Sequence, residues 1–421
     1  MYDFTTIGAL IGMALAIILI IKKFHPAYSL IIGALIGGVI GSYGDLALTV
    51  STMMTGAGSM ITSVLRIMTS GILAGALIKT GAAEKIAQVI VSKLGSRRAL
   101  FAVSVATMVI CAVGVFIDIS VITVAPIALA IGKEADYNKQ SLLIAMIGGG
   151  KAGNIISPNP NTIAVSESFG VDLTSLMAKN IIPALCALVV TAIISNMLSK
   201  KDGLPVAETD LEKNEAKELP SFLMAIVGPV AVIILLALRP IAGIAIDPMI
   251  ALPVGGLICT VATGNFRKFS AYAEFGLGKV TGVSILLLGT GTIAGIIKAS
   301  ALQQDVVSLL NVFNMPAFLL APIAGILMAG ATASTTAGAT VAAQTFSSVL
   351  TSEGVNALSA GAMIHAGATV VDSLPHGSFF HATGGAVNMN IPERMKLIAY
   401  EAMVGLTSTA VAVVIYLIGN I

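Results

Sequence analysis

The sequence has few charged residues. Only 10% of its 421 residues are Asp, Glu, Lys or Arg, whereas 56% are hydrophobic, and the mean hydropathy is +0.97. A globular protein in water carries about 25% charged residues on average. The composition therefore excludes a soluble enzyme and predicts a chain whose solvent is lipid.

Other absences narrow the class further. Cys111, Cys186 and Cys259 lie in apolar stretches without paired spacing, so neither a disulfide nor a metal site is expected, and no cofactor is predicted. The net charge of +2 is spread along the chain, which excludes nucleic acid as a partner. The first residues lack the basic segment and cleavage site of a signal peptide, so we expect a retained first membrane span.

Apolar segments divide the chain into membrane spans. A bilayer core of roughly 30 Å needs about 20 apolar residues per helix. Two apolar regions, 99–132 and 315–350, are too long for one crossing and are polar at their middle, which predicts re-entrant hairpins. Ten other segments can cross once: 4–22, 27–43, 60–79, 141–168, 180–199, 221–238, 249–263, 281–298, 359–384 and 398–418.

The two halves of the chain share an order of features. A charged linker at 200–220 separates residues 1–199 from residues 221–421. Matching glycines and prolines recur at offsets between 216 and 222, as in Gly71 with Gly291. Each half has five predicted transmembrane helices and one re-entrant hairpin, and an odd number of crossings turns the second half upside down. We therefore predict an all-α polytopic membrane protein of two inverted repeats, the plan of many secondary transporters.

The basic residues predict the orientation, because cytoplasmic loops are enriched in Lys and Arg. With both termini outside, Lys179, Arg239 and Lys298 fall outside, while Arg66 and Lys151 lie within spans. The other eighteen fall inside: Lys22, Lys23, Lys79, Lys85, Lys93, Arg97, Arg98, Lys133, Lys139, Lys200, Lys201, Lys213, Lys217, Arg267, Lys268, Lys279, Arg394 and Lys396. Both termini are thus expected on the periplasmic or extracellular side.

Two spans are broken at matching places. The motif Ser157-Pro158-Asn159-Pro160-Asn161 contains two prolines that end a helix, and residues 372–378 break the ninth span. Half-helix N-termini offer free N–H groups and a partial positive charge, which predicts a midplane cradle for a carboxylate. The alternative role of each Ser or Thr hydroxyl near the breaks and tips is a hydrogen bond to its own helix. The alternative role of Asp118, at the first hairpin tip, is helix capping. The predicted substrate contacts are Asp118, Ser120, Asn154, Ser157, Asn159, Asn161, Ser334, Thr335, Thr336, Ser373, His376 and Ser378.

Histidines favour protons over sodium as the coupling ion, because imidazole titrates near physiological pH. His365, His376 and His381 share the ninth span with Asp372. We predict that Asp118, His365, Asp372 and His376 carry the proton, and packing is the alternative role of each histidine.

Two cations lie within spans. Lys151 is expected either to neutralise Asp118 or Glu167 or to attract the substrate anion. Arg66 either extends to the membrane surface or pairs with a buried carboxylate, and it is not assigned to the site.

The stretch 70–198 contains Gly-Ala-Leu-Ile-Lys-Thr-Gly-Ala-Ala-Glu-Lys-Ile-Ala, a polar hairpin tip and the proline-broken helix. It resembles the GntP gluconate permease family of the ion transporter superfamily, and the similarity extends over nearly the whole chain. The resemblance implies a bacterial inner-membrane symporter that takes up gluconate or related carboxylates with protons, as a homodimer with an elevator-like domain. The family has an acidic residue where this chain has Asp118. Its break contains histidine where this chain has Ser157-Pro158-Asn159-Pro160-Asn161, so 3-hydroxybutyrate competes with gluconate.

Three other classes remain to be weighed. A sodium-coupled carboxylate transporter would share the same fold. His376 and His381 with Asp372 superficially suggest a membrane-embedded hydrolase, but their spacing matches no metalloprotease motif. A channel usually needs a pore with charged rings, which the sequence does not suggest. We therefore expect a transporter without enzymatic activity.

Overall fold

The computed structural model describes residues 3–95, 98–211, 218–312 and 314–419. Arg97, Lys213 and Lys217 of the predicted inside set, together with 212–217 of the predicted linker, lie outside this part. The described residues contain no β-strand, only an isolated parallel bridge between Phe4 and Ser300. The expected all-helical class is therefore confirmed.

The helices of the first half include three that no apolar segment predicted, α3, α5 and α10. They are α1 (Thr6–Ile21), α2 (Pro26–Gly41), α3 (Leu46–Gly58), α4 (Ile61–Lys79), α5 (Ala82–Leu94), α6 (Ala99–Ala112), α7 (Ile117–Glu134), α8 (Lys139–Asn154), α9 (Pro160–Phe169), α10 (Leu173–Lys179) and α11 (Ile181–Ser199). The region 141–168 is thus two helices, and the second begins at the proline that ended the first pattern.

The second half repeats this order with one long helix in place of α3 and α4. Its helices are α12 (Phe222–Ala242), α13 (Pro248–Ala262), α14 (Phe269–Ala299), α15 (Leu302–Val312), α16 (Leu320–Thr332), α17 (Thr335–Ser352), α18 (Ala357–Gly367), α19 (Ser378–Ala386), α20 (Ile391–Met395) and α21 (Ile398–Gly419). The region 359–384 is likewise interrupted between α18 and α19.

By length and hydropathy, four helical segments of the described chain can cross a membrane: Ile61–Lys79, Ile181–Ser199, Phe266–Ala299 and Ile391–Gly419. Shorter apolar helices, including α1, α2 and α13, accompany them. The start of α14 corrects the predicted loop position of Lys279, which lies ten residues inside this helix. Glu274 and Lys279 lower the local hydropathy, so the apolar pattern begins later than the helix does.

The helices pack in two groups. We call α1–α4 and α12–α14 the framework group, because they contact one another more than they contact the rest. The hairpin group contains α6–α11 and α16–α21, with the helix pairs α6–α7 and α16–α17 packed against the interrupted helices α8 and α18. Helices α5 and α15 lie between the groups. Buried apolar residues form one cluster around each hairpin.

Glycines let the long framework helices touch through their backbones. A Cβ at Gly276 would lie 1.8 Å from the carbonyl oxygen of Gly71, and a Cβ at Gly56 would lie 2.2 Å from that of Gly291. Gly75 and Gly295 take part in the same two contacts. Small residues of this kind let helices approach closely in lipid, where packing rather than hydrophobic burial holds them together.

The described part of the linker is attached to the hairpin group. The backbone N–H of Lys139 donates to the Leu204 carbonyl at 2.8 Å, and its ammonium donates to Asp210 at 2.8 Å. Asn388 donates to the same carboxylate at 3.2 Å. Burial alone would raise the pKa of Asp210, but the hydrogen bonds from Lys139, the Ala207 amide and Asn388 outweigh it and lower the pKa. The linker is therefore docked on both halves rather than free.

The glycine contact predicts a contrast between two neighbouring positions of α14. Gly276→Ala should lower the melting temperature and the folded yield in detergent, because its methyl group collides with the backbone of α4. Gly278→Ala is the control, because nothing lies within 4 Å of its Cβ position. Both changes give the helix about 1 kcal/mol of added propensity, so only the clash differs. Equal melting temperatures for the two variants would contradict the contact.

Candidate functional site

Both hairpin tips and both interrupted helices meet at one cavity of about 290 Å³. Helix α14 of the framework group closes its remaining side. Its apolar lining includes Phe116, Ile117 and Phe379. Its polar lining consists of Asp118, Asn154, Asn161, Lys279, Ser334, Thr335, Thr336, Asp372 and Ser378. The cavity thus combines residues that are far apart in the sequence.

Four helices begin at this cavity. They are α7, α9, α17 and α19, and the first turn of each contributes to the lining. Gly114, at φ +107°, and Ala333, at φ +46°, turn the chain at the two hairpin tips, so that α7 and α17 begin there. Because a helix N-terminus carries free N–H groups and about half a positive charge, the cavity favours an anion.

A network of three asparagines shapes the first break. The Asn159 side chain accepts from the Asn161 N–H at 3.0 Å and so caps α9. Asn159 and Asn161 both donate to the side-chain oxygen of Asn154, at 2.6 and 2.9 Å. Among the described residues, the Nδ2 of Asn154 has no hydrogen-bond partner although it is buried. Because Asn154 lines the cavity, a donor without a partner lies next to the space for a ligand.

A buried ion pair joins the two interrupted helices. The Lys151 ammonium donates to Asp372 Oδ1 at 2.7 Å and to the Thr369 carbonyl, and both charged side chains are 1% exposed. Thr335, at the second hairpin tip, donates to Asp372 Oδ2 at 2.6 Å. The predicted pairing of Lys151 with Asp118 or Glu167 is therefore wrong. Lys151 lies at the end of α8 and faces the break of the other half, which no local pattern reveals.

Arg66 pairs with carboxylates, as its second predicted role proposed, but these carboxylates are only partly buried. It donates from Nε to Asp247 at 3.0 Å and also pairs with Glu167. Since Arg66 and Asp247 belong to α4 and the start of α13, while Glu167 belongs to α9, the ion pair links the two helix groups. A second cavity, of about 360 Å³, borders it away from the hairpin tips.

Several predicted contacts lie outside the cavity lining. Ser120 donates to the Phe116 carbonyl at 2.9 Å, the helix bond expected as its alternative. Ser373 donates to Asp372 at 3.1 Å. Asn159 is a cap, and the hydroxyl of Ser157 is buried without a partner among the described residues. Ser157, Asn159 and Ser373 therefore belong to the breaks and Ser120 to the interior of α7, and none of them lines the cavity.

None of the three histidines lines the cavity. His365 is fully buried, and neither ring nitrogen has a hydrogen-bond partner in the described part of the chain. The Nε2 of His376 lies 3.3 Å from the carbonyl oxygen of Ala331 in the second hairpin, and the Nε2 of His381 lies 2.8 Å from the carbonyl oxygen of Pro375. No group of three His, Cys, Asp or Glu residues is placed to hold a metal among the residues described.

Sequence comparison identifies the family. A model of GntP family permeases matches residues 4–421. The chain belongs to the GntP family of permeases. This member is 52% identical over 412 residues to an uncharacterized transporter of Haemophilus influenzae, and the aligned residues cover 98% of each chain. It is therefore a multi-pass membrane protein of a transport family, as expected.

More distant relatives of this GntP-family chain have named substrates. The D-serine transporter DsdX of Escherichia coli is 22% identical and covers 78% of this chain and 79% of its own. The high-affinity gluconate transporter of Escherichia coli is 23% identical over 73% of this chain and 72% of its own. The solved YdaH transporter of Alcanivorax borkumensis has a similar fold, with a TM-score of 0.64 at 14% identity and 97% coverage of both chains.

The Lys151–Asp372 pair predicts a defect that a second substitution reverses. Lys151→Met should lower the melting temperature strongly, because it leaves a buried carboxylate without its cation, at about 3–5 kcal/mol. Adding Asp372→Asn should restore most of the loss. Lys396→Met is the control, since Lys396 is 66% exposed and its pair with Glu393 should matter little. A double variant as unstable as Lys151→Met would contradict the pairing.

Proposed function

We propose that this GntP-family permease is a proton-coupled symporter that imports a small hydroxycarboxylate such as gluconate or 3-hydroxybutyrate. The observation that carries the proposal is the convergence of four helix N-termini on one cavity that is also lined by Lys279 and by Asn154, whose Nδ2 has no partner among the described residues. These groups attract a carboxylate. The named substrates of the relatives, gluconate and D-serine, are small molecules that carry one.

The rest of the lining suits the hydroxyl groups of such an acid. Asn161, Ser334, Thr336 and Ser378 offer amide and hydroxyl groups without formal charge. Thr336 donates to the Asn161 side chain, so the second hairpin tip and the first break hold each other in place. A ligand that bonds to both would therefore bind a preformed site, which reduces the entropy cost of binding.

The position of Asp118 supports the proposed coupling to protons. Its carboxylate lies in the first turn of α7 and lines the same cavity as the substrate. When Asp118 is ionised it repels the substrate carboxylate, and when it is protonated the repulsion disappears. Binding of proton and substrate then favour each other reciprocally. Asp372, His365 and His376 belong to the proposed proton path, and sodium is the alternative coupling ion.

The glycine contacts support two inverted repeats. Gly56 and Gly276, Gly71 and Gly291, and Gly75 and Gly295 are each 220 residues apart. Gly56 contacts Gly291, and its counterpart Gly276 contacts Gly71, as a twofold axis requires. The axis then relates residues 1–199 to residues 221–421.

We propose elevator-type alternating access in which the hairpin group moves against the framework group. The polar residues that line the cavity, apart from Lys279, all belong to the hairpin group and can travel as one unit. We also propose that the protein lies in the bacterial inner membrane with both termini outside. Each half then contains one re-entrant hairpin, and two chains form a homodimer.

Uptake into proteoliposomes tests the coupling. A pH gradient, acid outside, should drive accumulation of labelled substrate without sodium. Asp118→Asn and His376→Ala should each reduce this uptake at least about tenfold while the protein still enters the membrane. His25→Ala is a control, because His25 precedes α2 and contacts Tyr28 away from the cavity. Uptake driven only by sodium, or undiminished in both variants, would refute the proton assignment.

A thermal-shift screen of small carboxylates tests the substrate class. A ligand present at 100 times its Kd stabilises the folded protein by about 2.7 kcal/mol. Gluconate, 3-hydroxybutyrate, L-idonate and D-serine are the acids to compare, with sorbitol as an uncharged polyol control. We expect an acid to raise the melting temperature and sorbitol to have no effect. No shift with any acid would contradict the carboxylate proposal.

A further inference from the structure

Lys279 stands apart from every other polar residue of the cavity. It belongs to α14 of the framework group, whereas the other polar lining residues belong to the hairpin group. Gly282, Val283 and Leu286 line the cavity with it. Spacings of three, four and seven residues place them on one face of a helix, so α14 presents a single cation on an otherwise apolar wall.

The charge that faces Lys279 at the cavity is the carboxylate of Asp118, with which Lys279 interacts electrostatically without forming a contact ion pair. Lys151 neutralises Asp372 within the hairpin group, so Asp118 and Lys279 are the remaining charges of the lining. Among the described residues, no carboxylate oxygen lies within 4.0 Å of the Lys279 ammonium, which lies 5.2 Å from the centre of the Phe275 ring. An aromatic face attracts a cation without neutralising it.

The surface next to Lys279 leaves room for a ligand. Gly282, one turn along α14, lines the cavity, and a Cβ at this position would meet nothing within 4 Å. Lys279 itself is exposed, and its flexible stem lets the ammonium reach into the space. On the opposite side of the cavity lie the N-termini of the hairpin-group helices. A bound carboxylate would therefore have positive groups on both sides, one set from each helix group.

We propose that Lys279 binds the substrate carboxylate from the framework group, as the one charged contact that does not travel with the hairpin group. This inference rests on the proposed function. In an elevator cycle the contact exists only while the two groups are aligned as in this structure. Lys279 then makes the affinity for substrate differ between the two states, and only such a difference lets a ligand shift a conformational equilibrium.

Binding of an acid and of its uncharged amide separates a charge contact from a structural role. The purified full-length protein is titrated with gluconate and gluconamide, and with 3-hydroxybutyrate and its amide. We expect the unsubstituted protein to bind the acid at least about tenfold more tightly than the amide, a difference of about 1.4 kcal/mol. Lys279→Gln should lower the affinity for the acid by at least about tenfold and leave the affinity for the amide unchanged. Lys279→Arg should keep the preference for the acid.

Lys79→Gln is the matched control. The Lys79 ammonium lies 4.1 Å from the centre of the same Phe275 ring but does not line the cavity, so its removal should leave the acid-to-amide ratio unchanged. If Lys279→Gln keeps the full preference for the acid, the Lys279 assignment is wrong while the transporter proposal stands. If the unsubstituted protein binds neither acid, both are overturned.

Discussion

The ion pair between Lys151 and Asp372 is the contact on which the site depends. It holds the end of α8 against the break between α18 and α19, and through Thr335 it also holds the second hairpin tip. Two buried charges are costly unless they are paired and hydrogen-bonded, so their partners cannot move apart independently. The end of α8, the break before α19 and the start of α17 therefore keep their positions relative to one another.

Much of the helical plan was predictable, because lipid requires apolar helices with internally satisfied backbones. The prolines at 158 and 160 and the polar residues near 372 correctly indicated interrupted helices. Helix α5 was missed because it is short and amphipathic, and α3 and α10 because they are too short to cross. The start of α14 was placed too late, since charged residues in a helix resemble a loop to a hydropathy window.

The candidate site was harder to predict than the fold. Asp118, Asn161 and Thr336 could be expected near the cavity, because prolines and polar residues inside apolar segments mark the breaks and the hairpin tips in the sequence. Lys279 could not be expected there, because it lies on α14, a framework helix that contributes only one face to the cavity. The partner of Lys151 is 221 residues away, and its choice depends on how the two halves pack, which one sequence does not specify.

The ion pairs differ in strength according to where they lie. Lys151 and Asp372 are almost fully buried and belong to one group, whereas Arg66 and Glu167 are 22% and 26% exposed and join the two groups. A pair open to water contributes about 1 kcal/mol or less. The buried ion pair thus lies within one group of helices, and a partly exposed one spans the boundary between the two groups. In the proposed elevator motion, the cavity lining that belongs to the hairpin group would stay together, while the wall contributed by α14 would be left behind.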